Sequence, residues 1–180
     1  VASLLQDFSA PVRLEFAVSD AELAFRIAHE HDDFNRFDAA QTLAERILLA
    51  AYRRGGLDAS PSLAVLLDAL AKLVADEHID PALVAECLEP PDEISLGERI
   101  DALDPTRLHG VREALRAAIG QHLAAALIAR REVLADAARG MKDLNGYMPA
   151  DQTRIGAFLC DTVAQAREIT GLLGREITDT

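Results

Sequence analysis

The residues of this sequence that could most plausibly do metal chemistry are two histidines and three carboxylates at positions 29–33. A zinc peptidase places two histidines four positions apart on one helix face, with a glutamate between them as general base. His29 and His31 are two positions apart, so on a regular helix their side chains would point about 200° apart. We therefore predict that they do not bind one metal ion. The run His31-Asp32-Asp33 is interpreted as charge that caps and solubilises a helix end, with a metal site as the minor alternative.

Other patterns that support catalysis are missing from the sequence. There is no G-x-S-x-G, no P-loop, no G-x-G-x-x-G and no cysteine close to a histidine. Cys87 and Cys160 lie far apart and outside any C-x-x-C pattern, which favours free, buried thiols, although a disulfide between them stays open. We predict no catalytic, cofactor-binding or metal-ligating residue in this chain.

Charge and composition exclude several classes of protein. The 180 residues are 50% apolar, which is typical of a folded domain, and carry a net charge of −12. Such a chain would be repelled by nucleic acid and by anionic lipid. No apolar run is long enough to cross a bilayer and no signal peptide is recognisable, so we predict a cytoplasmic protein without nucleic-acid or membrane partners. The first residue, Val1, leads us to expect a processed or excised piece of a longer protein.

The elements that would position any site are almost all helical. Residues 12–16 differ, because Val12, Leu14 and Phe16 alternate with charged residues in the period of a half-buried strand. From residue 19 onward the pattern is that of helices with recognisable starts: S-x-x-E at Ser19 and again at Ser95, and a capping residue followed by proline elsewhere. The predicted helices begin and end near 19–32, 38–54, 60–76, 80–88, a short one opening at Ser95, 104–138 and 150–173.

Apolar spacing within these helices predicts the core. The third helix carries a leucine-rich face, and the longest helix carries an apolar residue at every fourth position. Gly120 could bend or divide this longest helix. The members of the two faces are Leu63, Leu66, Leu67, Leu70 and Leu73, and Val111, Leu115, Ile119, Leu123 and Leu127. We predict an all-α fold with about seven helices in antiparallel hairpins, a bundle or an irregular helical solenoid, preceded by one short β-strand.

Four segments resemble the bacterial zinc aminopeptidase N family, in the same order and spacing as in that family. They are SLLQDFSAPVRL (3–14), HDDFNRFDAAQTL (31–43), DEHIDPALVAECLEPP (76–91) and DPTRLHGVREAL (104–115). The resemblance fades beyond about residue 135, where the family's R-x-L-[K/R]-N pattern is missing. It implies that residues 1–17 are the terminal strand of a missing β-sandwich domain and that residues 18–139 belong to the C-terminal helical domain. Residues 140–180 are a further helix without a family counterpart.

The resemblance also implies a role. The family's enzymes hold zinc with H-E-x-x-H and a downstream glutamate, recognise peptides with G-A-M-E-N, and cap the active-site chamber with the helical domain. Neither motif occurs here, so we expect a non-catalytic fragment of a zinc aminopeptidase that removes N-terminal amino acids. Its partners would be the missing catalytic and β-sandwich domains, with zinc and peptide substrates bound only by the parent enzyme. The alternative is an independent helical scaffold or protein-interaction module with no peptidase role.

One arginine in the most family-like segment is expected to be structural. Arg36 lies between Asp33 and Asp38, and a guanidinium matches a carboxylate well in a buried pair. We predict that Arg36 pairs with one of these carboxylates and fixes the first helical hairpin.

Overall fold

Six α-helices make up the part of the protein that the computed structural model describes, which is residues 18–145 with side chains for 18–134. They are α1 (Asp20–His29), α2 (Asp33–Arg54), α3 (Pro61–Ala75), α4 (Pro81–Leu88), α5 (Glu93–Gly97) and α6 (Pro105–Asn145). These correspond to six of the seven predicted helices. The predicted strand at 12–16 and the predicted helix at 150–173 lie outside the described residues.

Most helices begin where the sequence places a capping side chain. Ser19 accepts a hydrogen bond from the Glu22 backbone N–H at 3.2 Å, and the Glu22 carboxylate accepts one from the Ser19 N–H at 2.9 Å, so the predicted capping box is confirmed. Ser60 caps α3 ahead of Pro61, and Asp80 caps α4 ahead of Pro81. Each cap satisfies a backbone donor that the first helical turn would otherwise leave without a partner.

Two predicted helix starts are wrong. The second helix begins at Asp33 rather than near 38, because the Asp32 carboxylate accepts the Asn35 N–H at 2.8 Å and so caps the helix there. The fifth helix is capped by Asp92 instead of Ser95. The Asp92 carboxylate accepts hydrogen bonds from the Ser95 backbone and from the Ser95 hydroxyl, which leaves no capping role for that serine.

The longest helix is also longer than predicted and does not divide at Gly120. It continues from Pro105 to Asn145 as one element of 41 residues. Gly120 is buried within it. Among the described residues Gly55, at the end of α2, is the one glycine with positive φ (94°), so Gly120 keeps an ordinary helical backbone.

The core lies between three long helices. α1 packs on α2 and α3, α2 and α3 both pack on α6, and the short helices α4 and α5 cover the margins. All five residues of the predicted stripe on α6 are buried, as is the leucine face of α3 apart from Leu67, which is partly buried. Because burying each leucine contributes roughly 1.5–3 kcal/mol, these two faces hold the layers together.

Candidate functional site

The histidine cluster at the end of α1 does not form a metal site in the structure. α1 ends at His29, whose ring packs against Phe25 with the centroids 4.7 Å apart. Glu30 is buried, and its carboxylate accepts the His31 backbone N–H at 2.9 Å. His31 therefore lies beyond the helix, so the separation expected on a regular helix does not apply to this pair. The residues present do not fit the zinc ligand set of a peptidase.

Among the side chains that the structure describes, those of residues 18–134, no group of three or more histidine, cysteine, aspartate or glutamate residues is arranged to hold a metal ion. Within residues 18–145, no helix is both long enough and apolar enough to cross a membrane.

Arg36 is buried as predicted, but its partners are different. The guanidinium donates to the Ile27 carbonyl oxygen at 3.0 Å and to the Glu30 carbonyl oxygen. Within the described residues Arg36 forms no ion pair with Asp33 or Asp38, so the predicted carboxylate partner is wrong. The carbonyl groups at the end of α1 have no partner within the helix, so they can accept hydrogen bonds from Arg36 on α2. Arg36 therefore holds the end of α1 against the first turns of α2.

Two further arginines, Arg130 and Arg112, also donate hydrogen bonds to main-chain carbonyl oxygens in the connections between helices. Arg130 on α6 is buried, and its guanidinium donates to the Asp76 carbonyl oxygen at 2.7 Å and to the Ile79 carbonyl oxygen at 2.9 Å. These two carbonyl groups belong to the connection between α3 and α4. A guanidinium presents several donors in a planar fork, which suits it to hold two carbonyl groups of one turn at once.

Arg112, also on α6, holds the connection between α4 and α5. Its Nε donates to the Pro91 carbonyl oxygen at 3.0 Å, and its Nη2 donates to the Pro90 carbonyl oxygen at 3.2 Å and to the Glu89 carboxylate. From the other side, the Gln41 amide on α2 donates to the Glu89 carbonyl oxygen at 3.0 Å. The proline turn is therefore fixed between two long helices.

The start of α1 is attached to its neighbours through Asp20. The Asp20 carboxylate accepts a hydrogen bond from the Ser62 hydroxyl at 2.6 Å and one from the Arg46 guanidinium at 2.9 Å. The same guanidinium donates to the Val18 carbonyl oxygen at 2.8 Å. The hydrogen bond from Ser62 and the charge of Arg46 lower the pKa of Asp20 below its ordinary value. This group connects α1, α2 and α3 at the point where the chain enters the helical layer.

Taken together, the polar residues that the fold brings together hold helix connections in place and do not converge on a common pocket. Their partners are mostly main-chain carbonyl groups, which are not reactive groups. Among the described residues, this arrangement can fix the shape of a helical surface.

Comparison with known families agrees with that description. The family described as a domain of unknown function with ARM repeats, DUF3458_C, matches residues 20–154. The chain belongs to this family. The ARM-repeat description favours the irregular-solenoid form of the predicted fold over the bundle.

Sequence relatives of this ARM-repeat chain are aminopeptidases. It is 41% identical over 130 residues to aminopeptidase N of Escherichia coli strain K12, covering 72% of this chain and 15% of that protein. It is 33% identical over 156 residues to aminopeptidase N of Caulobacter vibrioides, covering 87% of this chain and 17% of that protein. The family resemblance seen in the sequence is thereby confirmed, and the chain spans less than a fifth of the length of these relatives.

A solved structure shows the same fold. The crystal structure of Legionella pneumophila aminopeptidase A in complex with aspartic acid superposes with a TM-score of 0.69 at 18% identity, covering 92% of this chain and 20% of that one. The ARM-repeat chain thus corresponds to the C-terminal helical domain of aminopeptidase N-type proteins.

Helical spacing marks the two arginines of α6 in this ARM-repeat domain as candidates for burial, but it does not identify their partners. Arg130 continues the apolar stripe of α6, three positions after Leu127, so its burial could have been inferred from helical spacing. Arg112 lies three positions before Leu115 and has the same spacing, but the partners of neither arginine could be identified from the sequence, because they lie more than 20 positions away.

The cysteine of the described region is structural. Cys87 is a free thiol, as predicted, and is buried on α4. Burial raises the pKa of this thiol to about 12, so it stays protonated and unreactive at neutral pH. Cys160 lies outside the described residues.

Proposed function

We propose that this chain is the non-catalytic helical part of a zinc aminopeptidase and that it caps and shapes the chamber in which N-terminal amino acids are removed from peptides. The observation that carries the proposal is the similarity to aminopeptidase N over a stretch that is less than a fifth of those proteins. The catalytic residues, the zinc ion and the substrate-binding motif would lie in the remainder of the parent protein, which would act in the cytoplasm.

The arginine contacts support this role in physical terms. A helical layer that borders a chamber keeps its shape only if its connections do not open, and connections are usually the least stable parts of a fold. Here Arg36 on α2 and Arg112 and Arg130 on α6 each donate hydrogen bonds to carbonyl oxygens at one helix connection. We infer that the layer presents a fixed surface to the catalytic and β-sandwich domains.

The first test separates this proposal from an independent scaffold. The gene that encodes the chain should also encode H-E-x-x-H upstream, in the same reading frame. The purified 180-residue chain should release no product from aminoacyl anilides in the presence of zinc, because a zinc peptidase needs fixed protein ligands and a general base. A start codon directly before Val1, with no upstream zinc motif, would favour the independent scaffold. Turnover that co-purifies with the chain and is abolished by a chelator would refute the non-catalytic assignment.

The second test concerns the capping role. In the longer protein, removal of the helical domain should leave the zinc content unchanged and raise the rate on long peptides relative to dipeptide-sized substrates, because the chamber would then be open. The longer protein with the domain intact is the control. Unchanged zinc content together with an unchanged size preference would show that the domain does not restrict access.

A further inference from the structure

Arg112 and Arg130 hold the two ends of the same short helix. Just before α4, Arg130 donates to the carbonyl oxygens of Asp76 and Ile79. Just after α4, Arg112 donates to the carbonyl oxygens of the two prolines at 90–91. The two arginines are 18 positions apart on α6, which is five helical turns, so they lie on one face of that helix about 27 Å apart. One long helix therefore holds α4 at both ends.

The main chain at these ends depends on side chains of the long helices. The carbonyl oxygens of residues 89–91 accept hydrogen bonds from Gln41 on α2 and from Arg112 on α6. Prolines occupy positions 81, 90 and 91, and proline has no N–H with which to form a main-chain hydrogen bond. An isolated helix of eight residues is not stable in water. The position of α4 therefore relies on these contacts and on its own buried side chains.

The buried surface of α4 is small. It packs on α2 and α3 and buries three residues, Val84, Cys87 and Leu88, whereas α2 buries ten and α3 buries six. Segments with few buried apolar side chains open at a lower free-energy cost than the rest of a fold. Residues 76–91, which we call the strap, comprise α4 and the connections that the two arginines hold.

We propose that the strap opens and closes as one unit while the long helices stay folded, and that Arg112 and Arg130 together hold it closed. Because the two arginines act on opposite ends of one helix, loss of either should favour opening of the whole strap. Separate opening of the two ends is the alternative that the experiment must distinguish. This inference does not depend on the peptidase role.

Cys87 reports on strap opening in the full chain. The residue is 4% exposed and its pKa is raised to about 12, so the thiol does not react while the strap is closed. Opening would expose the thiol and return its pKa to about 8.5. After a pulse of a thiol reagent, mass spectrometry of peptides separates labelling of Cys87 from labelling of Cys160.

The urea dependence of labelling in the parent chain is the first measurement. We expect the Cys87 rate to change little at low urea, because opening of the strap exposes a small part of the surface that global unfolding exposes. A rate that follows the urea dependence of global unfolding from the lowest concentrations would overturn the proposal.

Arg130→Met distinguishes one unit from two separate ends. The carbonyl partners of Arg130 precede Cys87 by eight or more positions. Arg130→Met should nevertheless raise the Cys87 labelling rate by about tenfold or more, as should Arg112→Met. Arg131→Met, at an exposed position, is the matched control and should leave the rate unchanged. Faster amide exchange at residues 76–80 in Arg130→Met with unchanged Cys87 labelling would mean that the ends open separately, and the proposal would be overturned.

Leu23→Ala controls for loss of global stability. Leu23 is 3% exposed on α1, which packs on α2 and α3, so its truncation leaves a cavity that weakens the fold without removing a contact of either arginine. We expect a lower melting temperature and an unchanged Cys87 labelling rate without urea. If Leu23→Ala raised the rate as much as Arg130→Met at an equal loss of stability, labelling would require global unfolding and the proposal would be refuted.

Discussion

Replacement of Arg130 by methionine tests whether the arginine contacts stabilise the helical layer. Methionine keeps an unbranched apolar stem of similar length, so Arg130→Met removes the guanidinium while leaving much of the packing in place. The change deletes the hydrogen bonds of 2.7 and 2.9 Å to the carbonyl oxygens of Asp76 and Ile79. Those two oxygens are then left without this partner at the connection between α3 and α4.

The magnitude follows from those two bonds. Hydrogen bonds to a charged group contribute about 1.5–3 kcal/mol each, and relief of the desolvation of the guanidinium offsets part of that sum. We expect Arg130→Met to lower the free energy of unfolding by about 2–4 kcal/mol, a large share of the roughly 5–15 kcal/mol of an ordinary domain. For a domain of this size the melting temperature should fall by about 10 °C.

The assay is thermal and urea unfolding of the 180-residue chain, followed by circular dichroism. Arg131→Met is the matched control, because Arg131 is the next residue on the same helix and its side chain is exposed; we expect a change within about 0.5 kcal/mol. Amide hydrogen exchange should also accelerate at residues 76–80 in Arg130→Met and stay unchanged in the control. Equal stability losses in the two variants, with unchanged exchange at the connection, would refute the idea that Arg130 holds it.

Two further predictions concern the helix ends. Because the Ser62 hydroxyl holds the pKa of Asp20 below 3.8, the stabilising contribution of this carboxylate is complete above pH 3.8 and is lost as the pH falls through the lower folded pKa. Asp20→Asn should therefore melt below the parent chain at pH 6, with the gap closing on acidification, whereas the exposed Asp101→Asn should show no such gap. Gly55→Ala should cost about 1–2 kcal/mol in urea unfolding, because φ is 94° there, and Gly56→Ala, with open space around its Cβ position, should cost less.

Much of the helical organisation could be predicted because helix starts are decided locally. The Ser19 box and the caps of Ser60 and Asp80 satisfy backbone donors within three residues, so the pattern is visible in sequence. The fifth helix shows the limit of such reasoning. Asp92 and Ser95 are both residue types that cap helices. In the structure Asp92 is the cap, and the Ser95 hydroxyl donates a hydrogen bond to the Asp92 carboxylate. The S-x-x-E motif at Ser95 does not reveal this.

The apolar stripes and the absence of catalytic motifs were likewise properties of the sequence, because helical spacing fixes which side chains share a face. The partners of the arginines were decided by tertiary structure alone. Arg130 reaches carbonyl groups more than 50 positions away, and Arg36 turns from the neighbouring carboxylates to the end of α1. Every residue offers a carbonyl acceptor, so the sequence does not single one out; the packing of α6 on α3 and of α2 on α1 determines which carbonyl groups come within reach.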